Sequence, residues 1–97
     1  MIEIFAHRAI YQNKENTLEG IENNLKSGFN IEIDVRKNNY GIYLSHDPKM
    51  DGGNLFRNAC NIIKNYNKKV AIHVKEDFDI QEIIDIILEY NIEKKCF

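Results

Sequence analysis

The sequence predicts an α/β domain with a mainly parallel sheet and helices packed outside it. Three features point there. Short apolar runs alternate along the chain with stripes of helical period. The segment Asn30–Arg36 sets Ile31, Ile33 and Val35 against Glu32 and Asp34, the two-residue period of a strand. Stop signals (Gly28, Pro48, the Asp51–Asn54 cluster) fall where one element must give way to the next.

Taken in order, Ile2–Ala6 is a first strand that delivers His7 and Arg8 at its exit. Asn16 suits an N-cap, with Glu19 as its capping-box partner. Leu18, Ile21 and Leu25 then carry a helix to Ser27, stopped at Gly28. After the alternating strand, Asn38–Gly41 is turn chemistry, and Ile42–Leu44 returns as a short strand before Ser45-His46-Asp47-Pro48. Asp51–Asn54 is a loop. Leu55, Ala59, Ile62, Ile63 and Tyr66 mark a second helix, on whose stripe Cys60 is a packing residue. Val70–Lys75 is a strand with His73 and Lys75 on one face. A third helix starts at Asp79 with the stripe Ile80, Ile83, Ile84, Ile87 and Leu88, and Cys96-Phe97 opens a further strand. The last stripe needs a sheet to cover, so the sheet is expected to be incomplete.

Ninety-seven residues make a single small domain. Hydrophobic content of 43% and charged content of 29% are those of an ordinary folded chain. A net charge of −2 offers no electrostatic reason for a nucleic acid or anionic membrane partner. No stretch approaches the ~20 apolar residues of a membrane span, and the first residues lack a basic, signal-like region. Cys60 and Cys96 have neither metal-type nor redox-type spacing, which points to reduced thiols and a cytoplasmic setting.

Glu32 and Asp34 carry the first chemical signal. At i and i+2 on a strand they point the same way, and in a sheet covered on both faces that direction is interior. Two inward carboxylates repel and are costly to desolvate unless a cation sits between them. A hard divalent ion resolves this, whereas on a wet edge strand both would simply be solvated. His7 and His46 each follow a strand, at the edge where α/β folds bind ligands, and suit a general acid and base near neutral pH. Arg8 can clamp a phosphate with its guanidinium fork, and Lys75 can do so as a point charge. Asp47 would orient His46 or cap the next turn. Glu15 and Asn16 are loop and cap residues with a supporting role near the site at most. His73 adds a metal ligand or fills the core.

In order, these segments resemble the glycerophosphodiester phosphodiesterase family. Its opening His-Arg-Gly is matched by His7-Arg8-Ala9, its Glu-Asn-Thr by Glu15-Asn16-Thr17, its Glu-x-Asp by Glu32-Ile33-Asp34 and its His-Asp by His46-Asp47. The likeness is closest from Ile4 to Pro48 and looser to Lys75. It implies a partial TIM-type (β/α) barrel, the first three to four βα units with a hairpin after the first helix, in one incomplete domain over residues 1–97. It also implies His7 and His46 as the catalytic pair, Glu32 and Asp34 on a Mg²⁺ or Ca²⁺ ion, and Arg8 on the phosphate. The reaction implied is hydrolysis of a glycerophosphodiester to an alcohol and glycerol 3-phosphate. Two positions depart from the pattern. Ala9 replaces a glycine, which matters where the backbone needs positive φ. His73-Val74-Lys75 replaces Glu-x-Lys, so a third carboxylate ligand becomes an imidazole and affinity for a hard ion falls.

A full barrel takes ~250 residues, so open sheet edges would favour self-association. Two other readings follow from the same residues. One is a non-catalytic remnant of that family that binds a phosphate ligand or a partner chain. The other is a small α/β domain in which the four motifs do not converge.

Overall fold

The computed structural model describes residues 4–50 and 52–97. The expected strand residues Ile2 and Glu3, the signal-like region sought at the N-terminus and the loop residue Asp51 lie wholly or partly outside them. The chain runs β1 (Phe5–Ala6), a 3₁₀ turn (His7–Ala9), α1 (Leu18–Lys26), β2 (Asn30–Asn38), β3 (Gly41–Leu44), β4 (Asn54–Leu55), α2 (Phe56–Ile63), β5 (Val70–Val74) and α3 (Gln81–Glu89). This is a mixed α/β arrangement. β2 pairs in parallel with β1 and β5 and antiparallel with β3, which pairs antiparallel with β4. The sheet, expected to be mainly parallel, is therefore mixed. A tight hairpin reverses the chain after β2, where the Asn38 side chain accepts the Tyr40 N–H at 2.8 Å, and β4 extends the reversed pairing. β4 itself begins inside the stretch expected to be loop.

Local chemistry explains most boundaries and corrects one. Thr17, not Asn16, caps α1: its side chain accepts the Gly20 N–H at 3.0 Å. Asn16 is unavailable because its backbone is left-handed (φ 55°) and its side chain reaches elsewhere. Gly20 is required for a close approach, since a Cβ there would lie 2.4 Å from the Ala9 carbonyl oxygen. Its bare face lets α1 settle on the turn that carries His7 and Arg8. Gly28, at φ 93°, ends the helix as expected.

The apolar face of β2 is the centre of the core. Ile31, Ile33 and Val35 are fully buried, under Ile21 and Leu25 of α1 and the buried face of α2, which includes Cys60. α3 follows its expected stripe only in part. Ile83 and Ile86 are buried, but Ile80, Ile84 and Leu88 stay exposed beside a groove of about 390 Å³ that Ile72, Val74 and Phe97 also line. The segment at Cys96 runs parallel along the outer edge of β5, where Phe97 donates its N–H to Val70 and accepts from Ile72. Among the described residues no helix is long and apolar enough to cross a membrane.

Candidate active site

Register places the polar residues. Parallel pairing sets Glu32 opposite Ala71 and Asp34 opposite His73, so all four side chains project from the face of the sheet that the helices do not cover. Strand alternation carries Arg36 and Lys75 to that face as well. β1 ends beside the start of β2, and the turn after it lays His7 and Arg8 over the same carboxylates.

His7 Nε2 lies 3.1 Å from Glu32 Oε1. Arg8 spans two acids: one terminal guanidinium nitrogen donates to Glu15 Oε2 at 3.1 Å, while Nε stands 3.6 Å from Asp34 Oδ2. His73 Nδ1 lies 3.3 Å from Asp34 Oδ1. Asp34 is 1% exposed, the most deeply buried charge of the group. A carboxylate so placed is tolerated only with opposite charge and donors around it, and Arg8, His73 and Asn16 supply these.

Asn16 does more than a loop residue. Its amide donates to Asp34 Oδ2 at 3.2 Å and its carbonyl oxygen accepts the Asp34 N–H at 3.0 Å. That N–H faces the gap on the edge of β2 between β1 and β3, where no strand among the described residues pairs with it. One buried side chain thus completes the backbone pairing and fixes the carboxylate. The signal in the sequence was slight: an Asn beside a good cap residue, in a conformation Asn tolerates. Arg36 was also missed. It donates to the His46 carbonyl from two nitrogens, at 3.1 and 2.7 Å, and pairs with Glu76 at 3.4 Å. The alternation that groups Glu32 with Asp34 continues to Arg36, and that could have flagged it.

His46 stands apart. Its Nδ1 is 3.2 Å from Asp47 Oδ1, and it lines a polar cavity of about 310 Å³ with Glu15, Asn16, Thr17 and Lys49. Ser45 N–H donates to the Asp34 carbonyl, so His46 begins one residue from the acidic strand. No direct contact joins its ring to Glu32 or Asp34 among the described residues.

The departure at Ala9 has a physical consequence. Arg8 and Ala9 both take positive φ, 53° and 48°, where a glycine would be unstrained. The backbone holding the arginine over Asp34 is therefore strained at two successive residues. As for a cation, Glu32 and Asp34 offer oxygen donors on one face and His73 a nitrogen. Yet among the described residues no three His, Cys, Asp or Glu side chains are arranged to hold one ion. The carboxylates are engaged pairwise by the protein's own basic side chains, and Arg8 would have to give way at Asp34.

No protein-family model matches the chain, and no curated protein is significantly similar to it.

Proposed function

We propose that the polar face of β2 and β5 is a phosphodiester-hydrolysing site of the glycerophosphodiester phosphodiesterase kind, built on the opening units of a TIM-type barrel. The observation that carries the reading is Asp34, buried at 1% on one sheet face with Glu32, its carboxylate surrounded at 3.2–3.6 Å by Asn16, His73 and Arg8. A core built only for stability has little use for such a group, whereas a site for phosphate and cation does.

In this proposal Arg8 and Lys75 hold the phosphate oxygens. Glu32 keeps His7 oriented, its ring placed to give a proton to the departing alcohol. An Nδ1–H donated to Asp47 leaves His46 Nε2 as an acceptor, suited to take a proton from the attacking water. Glu32 and Asp34, with His73 as a nitrogen donor, would hold a Mg²⁺ or Ca²⁺ ion, which when bound neutralises charge on the phosphoryl oxygens. The free thiols of Cys60 and Cys96 suit a cytoplasmic enzyme, and a second copy packed on the exposed stripe of α3 would cover its apolar groove.

The test is hydrolysis of glycerophosphocholine by the purified chain, with and without Mg²⁺, beside His7→Ala. Turnover that needs the ion and is lost in the variant is expected; equal rates in both proteins would end the reading.

A second reading is a non-catalytic remnant that binds a phosphate ligand. It is favoured by the separation of His46 from the acidic pair and by the lack of a three-ligand cluster among the described residues. Saturable binding of glycerol 3-phosphate without any turnover would select it.

A further inference from the structure

Arg8 is held unevenly. Its backbone is anchored, because its carbonyl accepts the Asn16 N–H at 2.7 Å. Its terminal nitrogen has a proper acceptor in Glu15, which is 40% exposed at the side chain. Its Nε is buried with no hydrogen-bond partner, at a distance from Asp34 where charge attraction persists but a hydrogen bond does not. A side chain with a fixed root, a solvent-facing partner at its tip and an unsatisfied inner nitrogen can exchange partners at low cost.

We propose that Arg8 is the resident counter-ion of Asp34, and that a divalent cation gains this carboxylate more readily as the guanidinium turns to an incoming tetrahedral anion. Cation and anion then bind cooperatively at the site. This rests on the function proposed above and adds a coupling between its two ligands. The physical basis is exclusion. A guanidinium and a divalent ion within a few ångströms of one buried carboxylate repel strongly where the dielectric is low. An anion removes that conflict by taking the guanidinium fork, whose planar donors match tetrahedral oxyanions. Linkage then requires each ligand to strengthen the other by the same factor. Glu15 sets the opposite bias, since it draws the guanidinium outward, away from Asp34.

The experiment is calorimetric titration of the purified chain with MgCl₂, with and without sodium sulfate as the tetrahedral anion. Sulfate is expected to tighten Mg²⁺ binding by about fivefold or more, the lower end of ordinary coupling. Arg8→Gln should bind Mg²⁺ more tightly than wild type without sulfate and show no sulfate effect. Glu15→Gln should bind it more weakly, because Arg8 then has only Asp34. That variant leaves the buried pair intact and so serves even if Arg8→Gln does not fold. Mg²⁺ binding in wild type that is unchanged or weakened by Arg8→Gln, or unchanged by Glu15→Gln, overturns the exchange while the metal reading survives. No Mg²⁺ binding by any of the three, with or without sulfate, overturns both.

Discussion

The two faces of β2 share one backbone and differ in everything else. On one, Ile31, Ile33 and Val35 are buried under α1 and α2, each contributing about 1.5–3 kcal/mol by leaving water. On the other, Asp34 is almost as deeply buried, and burial alone would cost several kcal/mol for an unpaired charge. The difference lies in compensation. The apolar face needs only shape, whereas the polar face needs Asn16, Arg8 and His73 in specific places. Stability is expected to reside on the first face and ligand binding on the second.

The largest test of that division is Ile33→Ala, expected to cost about 3 kcal/mol in urea unfolding, because a fully buried side chain leaves a cavity. An equal loss from Asp34→Asn would erase the distinction between the faces. Asn16→Ala should cost about 2 kcal/mol, as it strands the buried Asp34 N–H and one carboxylate oxygen. A loss near zero would mean that water fills the gap on the edge of β2.

The apolar side also has a pH signature. Burial pushes the Cys60 thiol up to about 12, above the value of a free thiol. A raised folded-state pKa means that this contribution to stability is complete below about pH 9 and fades as pH climbs towards 12. Wild type should therefore lose on the order of 1 kcal/mol per pH unit more than Cys60→Ala in that window, as read by chemical denaturation at pH 8, 10 and 11. Parallel curves would place Cys60 nearer water. The smallest effect is that of Asp34→Asn on stability, within about 1 kcal/mol, because Asn16 can still donate to the new amide and a desolvated charge is removed. Its Mg²⁺-dependent rise in melting temperature, the polar face's own signal, should nevertheless vanish.

Much of this was legible from periodicity. The β2 alternation, the hairpin, the three helices and the core position of Cys60 follow from local patterns, which neighbours along the chain enforce. β4 escaped because two residues between a glycine pair and a helix carry no period. The N-cap was misplaced by one residue because Asn16 and Thr17 both suit the role, and only the demand of Asp34 for a partner separates them. The α3 stripe was right as a pattern, but Ile80, Ile84 and Leu88 have nothing packed over them among the described residues.

Sequence alone determined which side chains share a strand face, since side-chain direction on a strand is set by parity. It thereby grouped Glu32 with Asp34 and His73 with Lys75. Only the tertiary structure decided which basic side chain meets which acid: His7 with Glu32, Arg8 between Glu15 and Asp34, His73 on Asp34, and His46 beside Asp47 in the cavity that Glu15 and Asn16 also line. Those pairings depend on strand register, a strained turn and a glycine on α1, none of which leaves a periodic trace. Charges choose partners by distance in space.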